Sequence, residues 1–237
     1  MKEFLKKILP FAVSKNQRYD RQTKKVIKKV CSRKSSFIDI GAHKGEILDE
    51  VLRYAPKGNH FAFEPIPDLH TFLKVKYSEQ ENIQIYQVAL SNTQGVSSFN
   101  HVLSNPSYSG LIKRDYDRKN EKDVSIEVDT NTLDNLIPSE QPIDLIKIDV
   151  EGGEYPVLLG AKESITRSTP IIIFEHGLGA SEYYKTEPEH VFEFFRSLNY
   201  RIATMELWLK GEEPFSLEVF KSQFYDKLNY YFIAYPA

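Results

Sequence analysis

Phe37-Ile-Asp39-Ile-Gly41-Ala-His43-Lys-Gly45-Glu46 decides how this chain is read: a short apolar run breaks into a glycine turn, and a second glycine opens an amphipathic segment. The pattern predicts a strand, a turn and a helix. Glycine at such a turn lets a ligand approach the backbone where a Cβ would clash, and the unpaired amides of a helix N-terminus attract a carboxylate or phosphate. The next apolar run, His60 to Phe63, ends on Glu64, followed by Pro65 and Pro67. An acid after the second strand of a βαβ unit can accept hydrogen bonds from two ribose hydroxyls. Together these features predict a nucleotide-like ligand.

The glycine spacing narrows that ligand. A dinucleotide fingerprint needs G-x-G-x-x-G, whereas here Gly41-Ala-His-Lys-Gly45 follows Asp39, and the Gly-Lys-Ser/Thr ending of a phosphate loop is missing. D-x-G-x-x-x-G with an acid after strand two resembles the S-adenosylmethionine site of class I methyltransferases. The competing reading is a tight turn that binds nothing.

The 237 residues suffice for one domain with a substantial core, and 41% hydrophobic with 27% charged is ordinary for a soluble globular protein. One cysteine, Cys31, excludes an internal disulfide framework and a cysteine-cluster metal site, and suits a reducing, cytoplasmic setting. The net charge of −2 hides an asymmetry. Residues 1–36 hold 12 Lys and Arg against 2 Asp and Glu, or +10, and the rest of the chain holds 19 against 31, or −12. An acidic body argues against a nucleic acid held along an extended basic surface. Residues 1–35 read as a basic amphipathic extension, apolar at Phe4, Leu5, Ile8, Leu9, Phe11 and Val13 and interrupted by lysines and Pro10. It is expected to be neither signal peptide nor membrane span. Two readings stay open: a helix packed on the domain with a solvated basic face through Lys24, Lys25, Lys28 and Lys29, or a peripheral contact with the inner face of an anionic membrane.

Residues 36–237 read as one domain. Strands are expected near 36–41, 59–64, 83–90, 143–149, 170–176, 200–207 and 229–235, with helices near 45–55, 67–78, 153–166 and 187–198. The expected fold is α/β and Rossmann-like, a seven-stranded, doubly wound, mostly parallel sheet. The last two strands are joined by only a short helical connection near 214–226, which suits an antiparallel edge. An insertion near 96–130, with extra strands Val96–His101 and Val124–Asp129, is expected to cover the site and recognise substrate.

A second dense cluster runs Ile143-Asp-Leu-Ile-Lys147-Ile-Asp149-Val-Glu151-Gly-Gly-Glu154. Ligands of open parallel sheets sit beyond the carboxyl ends of the strands, so Asp149 and Glu151 should face the crevice shared by Asp39 and Glu64. Together with Asp39-Ile-Gly41-Ala, Glu64-Pro65-Ile-Pro67, Val88-Ala-Leu90-Ser91-Asn92 and Thr132-Leu-Asp134-Asn-Leu136, this cluster resembles the FkbM family of S-adenosylmethionine-dependent methyltransferases, in order from Phe37 to Glu175. Two departures are His43, where many members carry Asn, and Gly153, where Ala is common.

The resemblance implies a class I fold and methyl transfer, usually to a hydroxyl oxygen of a sugar, glycan or polyketide-type product. It implies that Asp39 fixes the glycine turn or meets the cofactor's amino group, that Gly41, His43 and Gly45 border the methionyl end, and that Glu64 binds the ribose. Ser91 or Asn92 would lie near the adenine, and Asp149 would border the cofactor. An alcohol acceptor must lose its proton. Asp149, His176 and Glu151 are the candidate bases by position, His176 titrating nearest neutral pH. Lys147 is as readily an ion-pair partner as a reacting group, and Glu154 suits the first turn of a helix. Glu175-His176 with two carboxylates would also admit Mg²⁺, which is not favoured. Tyr108, Ser109, Asp115 and Trp208 would suit a sugar. A cofactor-binding domain without turnover is the other class of function. Nucleic-acid methylation is disfavoured, because an Asn/Asp-Pro-Pro-aromatic block and a Pro-Cys nucleophile are both missing.

Overall fold

The computed structural model describes residues 14–116 and 120–237. The elements run α1 (Lys15–Val30), β1 (Phe37–Ile40), α2 (Glu46–Tyr54), β2 (His60–Phe63), α3 (Pro67–Lys76), β3 (Ile83–Tyr86), β4 (Ala89–Leu90), β5 (Gly95–Val102), β6 (Asp123–Asn131) and α4 (Leu133–Leu136). Then follow β7 (Leu145–Ile148), α5 (Glu154–Leu159), α6 (Lys162–Ser168), β8 (Ile171–Glu175), α7 (Pro188–Ser197), β9 (Tyr200–Ala203), α8 (Met205–Lys210), α9 (Leu217–Tyr225) and β10 (Tyr231–Pro236).

Seven strands form one sheet in the order β3-β2-β1-β7-β8-β10-β9. Pairing is parallel from β3 through β8, and β10 runs antiparallel to both β8 and β9. The expected antiparallel edge is therefore the β10–β9 pair, with the reversed strand one place in from the rim. Three expected elements divide. The run 83–90 leaves the large sheet after Tyr86, and Ala89–Leu90 pairs instead with β6 in a three-stranded sheet ordered β4-β6-β5. The run 200–207 stops at Ala203, because the Thr204 hydroxyl accepts the Leu207 amide and starts α8. The run 153–166 breaks into α5 and α6 at Gly160, where a Cβ would stand 2.1 Å from the Ser91 carbonyl oxygen.

Strand alternation sorts side chains onto two faces. Ile38, Ile40, Ile146, Ile148, Ile172 and Phe174 pack with α5, α6, α7 and α9. Phe37, Leu145, Ile173 and Ile233 pack on the other face with α1, α2 and α8. On that second face α1, begun by a Ser14–Gln17 capping box, buries Tyr19, Thr23, Val26 and Ile27. Each large apolar side chain so buried is worth roughly 1.5–3 kcal/mol. From Lys15 onward the basic segment thus supplies part of the core; the apolar positions Phe4 to Val13 lie outside the described residues. Among the described residues no helix is long and apolar enough to cross a membrane.

Candidate functional site

A cleft of about 910 Å³ opens at the carboxyl ends of β1, β2, β7 and β8, within the size range of small-molecule sites. Its floor is the sheet edge. The insertion covers it with Phe99, Tyr108 and Arg114, and α1 contributes Tyr19, Asp20 and Lys24.

The half beside β1 and β2 is built by the backbone. Gly41 has φ +78°, and a Cβ there would stand 1.9 Å from the Asp149 carbonyl oxygen, so only glycine fits. The Gly41 and Ala42 amides donate to the Phe63 carbonyl at 3.0 and 3.1 Å. Glu64 is buried at the end of β2. Its Oε2 accepts the His43 amide at 2.9 Å and its Oε1 the Ile66 amide at 3.0 Å. Burial pushes the Glu64 carboxyl up to about 7, although both amide bonds pull the other way. Ile66, Leu69, Val88, Leu90 and Phe99 make the adjoining wall apolar.

Two expectations fail in this half. Gly45 faces away from the cleft: its missing Cβ leaves room for Tyr77, whose hydroxyl would come within 2.4 Å. Ser91 and Asn92 also miss the cleft lining, because the chain crosses to the small sheet before them; Val88, Ala89 and Leu90 line it instead. His43 borders the cleft, with its Nδ1 3.6 Å from Glu46.

The half beside β7 and β8 is built by side chains sharing one sheet face. Asp39 and Lys147 are register partners on β1 and β7, and Glu175 and Tyr231 on β8 and β10. Lys147 Nζ donates to the Gly41 carbonyl at 2.9 Å and lies 3.4 Å from Asp149 and 3.7 Å from Asp39. Asp39 thus sits under the turn rather than in the cleft, and among the described residues neither of its oxygens has a hydrogen-bond partner. Burial first, then the Asp149 charge, pushes it up to about 6 against the pull of Lys147. Burial opposes the Lys147 charge, but Asp149 and Asp39 more than offset this and hold its pKa above the usual value. Asp149 goes the other way: burial is outweighed by Lys147 and by the Tyr231 hydroxyl that donates to it, so it stays ionised.

Glu151 and Glu175 complete the cluster. Burial and then the Asp149 charge push Glu151 up to about 8, while Arg114, which donates to it, pulls the other way. Burial and then Asp149 and Glu151 hold Glu175 well above the usual carboxylate range. Oxygens of Asp149, Glu151 and Glu175 approach within 4.8 Å of one another, a spacing that would admit a divalent cation, although Lys147 and Arg114 already bring positive charge. Glu154 lies behind the turn, its Oε1 accepting the Val150 and Gly152 amides.

His176 is the main correction. It is buried on the opposite face, stacked 4.7 Å from Phe224 and 5.8 Å from Phe220, and is not part of the cleft lining. Burial holds its pKa down at about 3, so it is a neutral packing residue. Alternation carried the signal: Phe174 and His176 share the apolar face, which leaves Glu175 for the cleft. Trp208 is likewise remote, on α8 against Tyr235 and Lys29.

The insertion is tied down over this half. Arg114 also donates to the Gly179 carbonyl at 3.0 Å and lies 5.0 Å over the Tyr108 ring. The Ile112 and Asp115 amides donate to the Tyr184 and Tyr183 hydroxyls. Arg114, Tyr184 and Tyr231 had no sequence signal, since each acts across a gap of many residues.

Comparison with known proteins gives the family. The profile of the methyltransferase FkbM domain matches residues 39–202. The chain is 28% identical over 144 residues to the 2-O-methyltransferase NoeI of Sinorhizobium fredii (strain NBRC 101917 / NGR234), an alignment covering 56% of this chain and 59% of that protein. The methyltransferase FkbM structure from Methylobacillus flagellatus KT superposes with a TM-score of 0.54 at 15% identity, covering 86% of this chain and 44% of that one, a likeness of fold. The chain belongs to the FkbM family of methyltransferases.

Proposed function

We propose that the protein transfers a methyl group from S-adenosylmethionine to a hydroxyl oxygen of a sugar, glycan or polyketide-type molecule. The observation that carries this reading is one continuous cleft joining the Gly41–Glu64 half to the Asp149–Glu151–Glu175 half. The cofactor fits that lining. Glu64 is positioned by two amides to accept ribose hydroxyls, Gly41 allows close approach, and the Ile66–Phe99 wall is apolar enough for a flat heterocycle. The Asp149 carboxylate, held ionised, also suits the positive charge of the cofactor. When bound, the cofactor supplies an electrophilic methyl group.

The residues of the chain then do the rest. Asp149, ionised between Lys147 and Tyr231, accepts the proton of the acceptor hydroxyl. Lys147 ties the base to the Gly41 turn, so base and cofactor site are held in one frame. Glu151, held by Arg114, orients the acceptor, and the insertion excludes water. The name of the Sinorhizobium relative supports transfer to oxygen.

The test is calorimetric titration with S-adenosylhomocysteine, NAD serving as control, followed by transfer of labelled methyl from S-adenosylmethionine onto a panel of glycosides with and without EDTA. Binding of S-adenosylhomocysteine but not of NAD, with label recovered on oxygen, is expected. Failure to bind it, or label on nitrogen only, rejects the reading.

A further inference from the structure

The molecule carries a second charged feature that methyl transfer does not use. Arg18, Arg21, Lys25 and Lys28 recur at spacings of three and four residues, so they form one stripe along α1. All four are exposed, opposite the face that buries Tyr19, Val26 and Ile27. Among the described residues none of the four makes an ion pair. Lys24, Lys29, Arg33 and Lys34 are exposed around it, whereas Asp20 is the single acid of α1.

The charge is concentrated here alone. Residues 1–36 carry +10 and the remainder −12. A solvated face would not need this segregation in a chain whose net charge is only −2. The same helix lines the cleft with Tyr19, Asp20 and Lys24 on its other side, so a surface held by the stripe leaves the cleft open. Inside the cleft the basic Arg114 and Lys147 are already engaged, by Glu151 and by Asp149 with the Gly41 carbonyl, so the free positive charge lies on the stripe. A stripe that attracts phosphates, turned away from the cleft, fits an anionic surface that stays outside it. The sequence before α1 adds apolar Phe4, Leu5, Ile8, Leu9, Phe11 and Val13 among lysines, the composition that partitions into a headgroup layer.

We propose that the Arg18–Lys28 stripe of α1 docks the protein on an anionic lipid bilayer. The inference does not rest on the identity of cofactor or acceptor. The test is cosedimentation of the full chain with vesicles of phosphatidylcholine alone and of phosphatidylcholine mixed with phosphatidylglycerol, at low and at raised salt. Binding to the anionic vesicles only is expected, weakening by roughly tenfold or more as salt rises, since exposed charges are screened. The variant Arg21→Glu/Lys25→Glu/Lys28→Glu, all exposed positions, should lose roughly tenfold or more in vesicle affinity while keeping its melting temperature and its affinity for S-adenosylhomocysteine. Equal binding to neutral and anionic vesicles, binding to neither, or an unaltered triple variant overturns the proposal. RNA that strips the protein from vesicles at equal phosphate concentration would reassign the stripe to nucleic acid.

Discussion

Glu64, buried, and Glu151, half-buried, both lie at the carboxyl edge of one sheet, and they are held by different means. Glu64 takes its two hydrogen bonds from backbone amides of neighbouring segments, His43 and Ile66. Glu151 relies on a guanidinium delivered by the insertion, beside the like charges of Asp149 and Glu175. The first acid is positioned by backbone amides of the two turns that flank it. The second belongs to a cluster whose charges depend on one another, so a change at one member moves the rest. Under the proposed function, the contrast gives recognition to the first half of the cleft and chemistry to the second.

The largest effect should come from the chemical half. Asp149→Asn is expected to lower turnover by roughly 10² to 10⁴ with little change in S-adenosylhomocysteine affinity, because proton removal matters only on the way to the transition state. Single-turnover transfer to an acceptor found by the labelling assay reads the first quantity and calorimetry the second; parallel losses in both would erase the division of labour. Gly41→Ala joins the two halves, since its Cβ would strike the Asp149 carbonyl from a left-handed φ. A destabilisation of about 3 kcal/mol or more is expected by denaturant titration. A fully stable variant would mean that the two halves can move apart.

Glu64→Ala tests the backbone-held acid. It should cost roughly 1.5 to 3 kcal/mol in product affinity, as for hydrogen bonds to a charged group, with the chemical step on bound cofactor nearly unchanged. Near wild-type affinity in a folded protein would remove Glu64 from the ribose.

The buried acids also set a pH dependence. Asp39, Glu64 and Glu151 have folded-state pKa values of about 6, 7 and 8, above their ordinary values. The native state then binds more protons than the unfolded one, so their contribution to stability is complete below about pH 4 and is lost as pH rises through 6 to 8. The ligand-free protein should melt lower at pH 8 than at pH 5, and Glu64→Gln should remove on the order of 2 kcal/mol of that slope. A melting temperature that climbs from pH 5 to 8 would show that these carboxylates are solvated.

His176→Phe should have the smallest effect, turnover changing by less than about twofold, because the ring only fills space between Phe220 and Phe224. A hundredfold loss of turnover with stability unchanged would put His176 back in the chemistry and break the assignment of the second half to carboxylates.

The alternation of Phe37-Ile-Asp-Ile and Leu145-Ile-Lys-Ile, the glycine after β1 and the acid after β2 are short-range patterns, so the strands near the site, the turn and the place of Glu64 were legible in the sequence. The same period-two rule, applied to Ile171 to His176, would also have separated Glu175 from His176. Gly45 could not be judged this way, because the glycine answers to Tyr77, far along the chain on α3's end.

What the sequence alone determined is the set of features a few consecutive residues can encode: the α/β alternation, the Gly41 turn, the acid Glu64 after β2 and the basic character of α1. Only the tertiary structure decided that Lys147 binds the turn, that Arg114 reaches Glu151, that Tyr231 meets Asp149 and that α1 walls the cleft. The reason is physical. Backbone turns and strand faces follow from local dihedrals and side-chain period, whereas the charge of a buried carboxylate depends on which other charges lie within a few ångströms, and those come from β7, β8, β10 and the insertion, brought together only by folding.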